Sequence, residues 1–324
     1  MQLVGYIKNL TRHSAIYTVS TLIQRTQGLI LLPILTDTTY LASKSEFGDY
    51  TLVYTFIAFM NVVYLYGLDA ALLRYYFLGK HSRKDIYSTA IKSLSVSALL
   101  TSVLIYLFAD TIAVILFNAE GYSFFVKMAG AILFFDTLCN LPYLILRAEE
   151  RSITYSAVRV GRFVVELILN ILFVVYFKLG VKGILYANLA AAGLNLLALL
   201  PFQLNYLKAG FSGNIMRDLI RFGLPMIPNG LAYLVVEMSD RYLMLHLLNK
   251  ETLGLYSANY RFGTLMLLLV SAFRTAWQPF FLKVADKPEA KNIYARVMTY
   301  YTAFAALIVL SGGYMVEYVI ISII

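Results

Sequence analysis

The chain has 324 residues, 60% hydrophobic and only 14% charged, with a mean hydropathy of +0.71. A soluble domain carries roughly 25% charged residues, so this composition excludes a water-facing globule. The net charge of +9 follows from how lysine and arginine are distributed among the loops, described below, and no nucleic-acid partner is expected.

Runs of about 18 or more apolar residues mark membrane-spanning helices. They predict an all-α, polytopic membrane protein with nine transmembrane helices. The spans are 14–36, 51–73, 86–108, 123–146, 153–177, 184–202, 222–247, 254–273 and 297–321. Lys8 and Arg12 precede the first run, as in a signal peptide. That run is 23 residues long, carries Gln24, Arg25 and Gln27 and has no small-residue cleavage site, so it reads as an uncleaved span. Loops 1–13, 74–85, 147–152, 203–221 and 274–296 hold 16 lysines and arginines, whereas the alternate loops hold 4. Basic residues are retained on the cytoplasmic side, which predicts a cytoplasmic amino terminus. None of these loops is long enough to fold into a catalytic domain, so the function lies within the bilayer and no enzyme is expected. The single cysteine, Cys139, sits in an apolar run, and His13, His81 and His246 lie far apart. Neither a disulfide within the chain nor a metal site or other cofactor is expected.

Residues 47–56 read FGDYTLVYTF and residues 253–262 read LGLYSANYRF. At an offset of 206, Gly48 matches Gly254, Tyr50 matches Tyr256, Tyr54 matches Tyr260 and Phe56 matches Phe262. Both segments open an inward-going span, so spans 1 and 2 correspond to spans 7 and 8. Six spans per repeat leave the two halves in one orientation, with a substrate path expected between them. The domains are therefore 1–205, a six-helix bundle, and 206–324, the first three helices of a second bundle. A complete molecule is expected to continue for three or more helices.

Charges at membrane depth need a partner, water or a function. Arg25 lies about twelve residues from either end of span 1, roughly 18 Å at 1.5 Å per residue, too deep to snorkel. With Gln24 and Gln27 beside it, and with Arg241 and Arg261 in spans 7 and 8, it forms the candidate anion site, since guanidinium offers forked donors to phosphate. Glu237 and Arg241 have the i,i+4 spacing of an intrahelical ion pair. Asp136, Glu166, Glu237 and Asp240 are candidates for H+ or Na+ coupling, with helix-packing pairs as the alternative. Pro225, Pro228 and Gly230 predict a kink able to act as a hinge in span 7.

FGDYTLVYTF, the stretch RFGLPMIPNGLAYLVVEMSDRYLM (221–244), LGLYSANYRFG (253–263) and AFRTAWQPFF (272–281) resemble the oligosaccharide flippase branch of the multidrug/oligosaccharidyl-lipid/polysaccharide exporter superfamily. They are similar in kind to the polysaccharide and O-antigen exporters of bacterial surface-polysaccharide clusters. The resemblance spans essentially the whole chain and is most specific over spans 7 and 8. It implies two six-helix bundles around a cationic cavity, alternating access, and an undecaprenyl-diphosphate-linked oligosaccharide as substrate. It also implies ion-gradient coupling in some members, and partners in the polysaccharide polymerase and glycosyltransferases of the same pathway. A lipid-linked peptidoglycan precursor flippase and a multidrug exporter of the same superfamily are the competing readings. A membrane glycosyltransferase or ligase is disfavoured by the short loops.

Overall fold

Hydrocarbon offers the backbone no hydrogen-bond partners, so a spanning chain must satisfy its amides internally. In the computed structural model, which describes residues 20, 23, 30–31, 44–260, 270 and 290–323, the regular structure is helical and no strand occurs among the described residues. The helices are α1 (Lys44–Leu65), α2 (Leu68–Leu78), α3 (Arg83–Leu107), α4 (Ala109–Phe117), α5 (Ser123–Ala148), α6 (Ser152–Asn170), α7 (Gly180–Leu207), α8 (Gly213–Gly223), α9 (Met226–Leu247), α10 (250–260) and α11 (Ala290–Ile323). A π-helical segment, Ile171–Tyr176, extends α6.

Six segments are long and apolar enough to cross a membrane: Ser45–Leu78, Arg83–Leu107, Ser123–Ala148, Gly180–Leu204, Gly213–Leu247 and Lys291–Ser311. They correspond to spans 2, 3, 4, 6, 7 and 9 of the sequence. Apart from residues 20, 23, 30, 31 and 270, span 1 and the second half of span 8 lie outside the described residues. Span 5 is α6 with its π extension. Its charged face, Arg159, Arg162 and Glu166, lines a cavity, while Ile153, Val164 and Ile168 are exposed. That is the inverse of a soluble amphipathic helix, and its averaged hydropathy understates how well it suits lipid.

Two stretches expected as loops contain helices. The 109–122 connection holds α4, and the 203–221 connection holds α8. Spans 2 and 7 are each broken towards the basic end of the molecule, where loops 74–85 and 203–221 gather. Span 2 breaks at Tyr66–Gly67, both at positive φ, and span 7 breaks at Leu224–Pro225. The two corners meet. A Cβ on Gly67 would lie 2.1 Å from the Gly223 carbonyl oxygen, and one on Gly223 would lie 2.9 Å from that of Tyr66. Only glycine permits backbones to approach this closely in a bundle.

From this corner α1 and α9 run antiparallel to the opposite end of the molecule. Gly230 packs on Val62, and Phe59 meets Tyr242 edge-on, with centroids 6.2 Å apart. Beyond α9, Lys250 reaches Asp49 at 2.9 Å, where the missing side chain of Gly48 leaves room for the Lys250 backbone. The same ammonium lies 3.8 Å from the centre of the Tyr122 ring, which stacks on Phe117. The α1–α9 seam is therefore fixed at both ends, by glycine contact at the basic end and by an aromatic-walled ion pair at the other.

Around the seam, α5 is the central post of the amino-terminal helices. Near the Lys250 end it helps to bury Leu52, Ile105, Phe117, Leu133, Leu185 and Leu253 in one apolar cluster. At the basic end Leu68, Ile86, Leu94, Leu141, Ile215 and Leu219 form a second. There Asp218 of α8 is held by Lys80 at 3.3 Å and His81 at 3.5 Å, and the Arg74 guanidinium lies 4.2 Å from the centre of the Phe222 ring.

Gly67→Ala must place a Cβ against backbone at a left-handed φ, which alone costs roughly 1–2 kcal/mol. It is expected to lower the thermal unfolding midpoint of the detergent-purified protein by several degrees. Gly161→Ala, where an added Cβ meets nothing within 4 Å, is expected to leave the midpoint unchanged or raise it, since alanine is the better helix former by roughly 0.5–1 kcal/mol.

Candidate functional site

Ionised side chains inside a bundle persist only with counter-charges and hydrogen bonds at hand. Beside the Asp49–Lys250 pair of the seam, two larger clusters among the described residues meet that requirement, one on α6 and one on α9.

On α6, Arg159, Arg162 and Glu166 recur at the spacing of one helical face. Arg162 Nη1 lies 2.7 Å from Asp136 Oδ1 of α5, and Arg162 Nε lies 3.8 Å from Glu166 Oε2. Its Nη2 donates to Asn188 Oδ1 of α7 at 3.4 Å, and Asn188 Nδ2 donates to the Tyr54 hydroxyl oxygen of α1 at 2.8 Å. One turn earlier the Arg159 guanidinium stands over the rings of Tyr143 and Tyr155, at 4.5 and 5.4 Å from their centroids. Tyr143 donates to Asn195 Oδ1 at 2.5 Å, which ties α5 to α7. These groups surround a cavity of about 280 Å³ between α1, α5 and α6, which Asn61, Asn140 and Phe163 also line. Cys139, a buried free thiol, forms part of its wall. Immediately beyond Glu166, Asn170 Nδ2 donates back to the Glu166 carbonyl at 2.8 Å, and the helix widens into its π segment. Such bulges occur frequently at functional sites.

On α9 the arrangement differs from the i,i+4 pairing expected of Glu237 and Arg241. Arg241 Nη1 pairs with Asp240 Oδ1 at 3.0 Å and donates to the backbone carbonyl of Glu237 at 3.0 Å. The Glu237 carboxylate instead accepts from the Tyr260 hydroxyl at 3.4 Å, and the Asp240 carboxylate accepts from the Tyr256 hydroxyl. The two tyrosines of α10 thus draw both acids towards their own helix. This leaves Arg241 with the nearer carboxylate, and its guanidinium stands 4.9 Å from the centre of the Tyr260 ring.

The two clusters share a plan. Tyr50 and Tyr54 stack with centroids 4.5 Å apart and planes 37° apart, and their repeat partners Tyr256 and Tyr260 do so at 5.8 Å and 40°. The second tyrosine of each pair leads to an arginine accompanied by two carboxylates. In the first half the route runs through Asn188 to Arg162. In the second it reaches Glu237 directly and Arg241 through its ring.

Of the residues singled out in the sequence, Asp136 and Glu166 come together on Arg162, and Glu237, Asp240 and Arg241 come together on α9. Arg25, Gln24, Gln27 and Arg261 lie outside the described residues. Pro225 occupies the junction of α8 and α9, and Pro228 sits in the first turn of α9. A missing amide hydrogen leaves no helix bond unmade there, so the prolines begin a helix at a corner rather than interrupt one. Sequence reasoning passed over Arg159 and Arg162. The i,i+4 spacing of Arg162 and Glu166 was the available signal, the same one that drew attention to Glu237 and Arg241. It also passed over the Asp49–Lys250 pair, whose 201-residue separation leaves no local trace. Among the described residues no group of three or more His, Cys, Asp or Glu side chains is placed to hold a metal.

A family model described as "Polysaccharide biosynthesis protein" matches residues 39–324. The chain belongs to that family. No functionally curated protein matches it. Among solved structures it is similar to an outward-facing multidrug resistance MATE family transporter of the MOP superfamily (17% identity, TM-score 0.65, covering 95% of this chain and 73% of that one). It is similar also to the MATE multidrug transporter DinF-BH (16%, 0.65, 93% and 72%). An inward-facing multidrug resistance MATE family transporter aligns over 75% of this chain and 59% of its own length (16%, 0.56). The chain thus spans about three fifths of that last transporter. At these identities the likeness is one of fold. The chain is a multi-pass helical membrane protein with the architecture of MATE transporters.

Arg162 is the counter-charge of two carboxylates. Arg162→Met is expected to destabilise the protein by about 3–5 kcal/mol, the penalty for leaving a buried pair half-removed. Adding Asp136→Asn and Glu166→Gln is expected to restore much of that loss. Chemical unfolding of the single and triple variants beside wild type in mixed micelles reads the difference, and a triple variant no more stable than the single one would show that Arg162 acts through packing.

Proposed function

We propose that this protein moves an anionic, lipid-linked oligosaccharide, an undecaprenyl-diphosphate glycan, from the inner to the outer leaflet of a bacterial inner membrane during surface-polysaccharide synthesis. One observation carries this reading: a chain of the polysaccharide biosynthesis family with a transporter fold keeps ionised, hydrogen-bonding side chains around a cavity at membrane depth. A hydrophobic cargo would need none of them, whereas a polar head passing through hydrocarbon does.

In this reading the lipid tail stays in the bilayer while the polar head passes between the halves. The halves rock about the α1–α9 seam by alternating access, with the Pro225 corner and the Gly230 contact as the hinge. Arg25 and Arg261 hold the diphosphate. Arg241 joins them, since only one of its terminal nitrogens is engaged by Asp240 and Glu237 among the described residues. The carboxylates beside the two arginines, Asp136 and Glu166 in one half and Asp240 and Glu237 in the other, are the sites at which H+ or Na+ couples to movement. The partners are the glycosyltransferases that build the glycan and the polymerase that extends it.

The multidrug reading keeps one specific support, the likeness to MATE multidrug transporter structures. It requires a net acidic, aromatic site for cations, whereas the α6 cavity sets two guanidinium groups against two carboxylates.

In cells lacking the chromosomal copy, the wild-type gene is expected to restore surface polysaccharide. Arg25→Ala and Arg241→Ala are each expected to cut the restored amount by roughly tenfold or more, the worth of a charge-assisted hydrogen-bond pair. Full restoration by both variants removes these arginines from the mechanism. Drug efflux without any polysaccharide phenotype favours the multidrug reading, and rescue of cells lacking their peptidoglycan-precursor flippase favours that one.

A further inference from the structure

The α6 cavity has a chemistry of its own. Its two arginines, Arg159 and Arg162, are matched by Asp136 and Glu166, so its formal charge is zero. A diphosphate entering it would face two carboxylates as closely as two guanidinium groups, and like charges at such range cancel the attraction. A lipophilic cation would meet both arginines and little apolar wall beyond Phe163.

What the lining offers in quantity is mixed hydrogen bonding. The carboxylates accept, the guanidiniums donate, the amides of Asn61 and Asn140 do both, and the Tyr143 hydroxyl, whose proton goes to Asn195, accepts. Asn140 lines the cavity with its side chain half-buried, and its Oδ1 is buried with no hydrogen-bond partner among the described residues, so turning this amide towards a visiting hydroxyl breaks no bond that Oδ1 now makes. Leaving such a group unmet is costly. The volume of about 280 Å³ lies just below the range for drug-sized ligand sites, roughly 300–1,000 Å³. It suits one ring rather than a chain of them. Asn61 keeps the cavity open on the α1 side, where its side chain is exposed.

A ligand that is compact, uncharged and hydroxyl-rich, with every oxygen able both to donate and to accept, satisfies all of these constraints together. We propose that the α6 cavity is a sugar subsite that takes a single neutral pyranose ring of the cargo glycan, with Asn140 and Asn61 as its principal hydrogen-bonding contacts and Arg162 with its two carboxylates as its polar floor. This rests on the flippase reading for the identity of the cargo, but assigns to the glycan a site separate from that of its diphosphate. Cargo is then recognised at two places: by charge where the diphosphate sits, and by hydroxyl geometry here.

The test uses the full chain in nanodiscs and saturation-transfer NMR with neutral methyl glycosides of glucose, galactose and mannose. Glucuronate, inorganic diphosphate and a cationic rhodamine dye serve as separate arms. At least one neutral glycoside is expected to bind with a dissociation constant in the millimolar range. Asn140→Ala is expected to weaken that binding about three- to tenfold, the worth of one hydrogen bond. Asn61→Ala, at an exposed position where folding is not at stake, is expected to weaken it similarly. Neither diphosphate nor rhodamine is expected to displace the bound glycoside. The proposal is overturned if no neutral glycoside binds, if glucuronate, diphosphate or rhodamine competes for the site, or if both asparagine variants bind as well as wild type. Cells that export polysaccharide normally while the purified protein binds no glycoside would refute this subsite and leave the flippase reading standing. Glycoside binding that depends on Asn140, in a protein whose loss leaves surface polysaccharide unchanged, would do the reverse.

Discussion

A guanidinium held at membrane depth must carry its counter-charges with it, and the arrangement of the described helices around α6 follows from that. Arg162 draws Asp136 of α5 to 2.7 Å and Glu166 of its own helix to 3.8 Å. Its remaining donors reach Asn188 of α7, which in turn meets Tyr54 of α1. Four helices are thereby registered against one another by a single charge. In water such a network is weak evidence for stability, because desolvation offsets the attraction. In a bundle surrounded by lipid the alternatives are worse, since each group left alone faces hydrocarbon. The network therefore specifies the packing of these helices even where it adds little to its strength.

The second half meets the same constraint by different means. Arg241 takes its nearest carboxylate from the adjacent residue in sequence, and the second acid is held by a tyrosine of the following helix. The Tyr50–Tyr54 and Tyr256–Tyr260 pairs keep a common geometry while their polar partners diverge. Two clusters that differ in this way need not bind the same part of a cargo.

How much of this could be read beforehand follows the range of each interaction. Apolar runs and the break before α9 are local, and the sequence announces them plainly. The motifs of spans 2, 7 and 8 pointed to the family that the match over residues 39–324 shows. The partner of Arg241 was misread because spacing along one helix says nothing of Tyr256 and Tyr260, which arrive from the next helix and rearrange both acids. Asp49 and Lys250 were missed for the same reason on a longer scale. Arg159 and Arg162 share their span with a single acid, Glu166, and the second carboxylate that holds Arg162, Asp136, comes from another helix. Their own helix is one in which charges are concealed by an inward-facing polar stripe. Tyr66 and Gly67 gave little warning of a corner, since nothing local predicts that another backbone will press against Gly67.

The seam gives these pieces a mechanical consequence. At the basic end Gly67 and Gly223, at the corners that join α1 to α2 and α8 to α9, press backbone on backbone. At the far end Gly48 admits the Lys250 backbone in the same way, and the Asp49–Lys250 ion pair lies beside it. Both ends are thus closed by glycine contact, and the far end adds an ion pair whose partners separate only as water replaces each of them. Phe117 and Tyr122 flank the ammonium of that pair. Parting the far end therefore requires rehydration of two charges as well as separation of backbones, so cohesion there is electrostatic as well as steric.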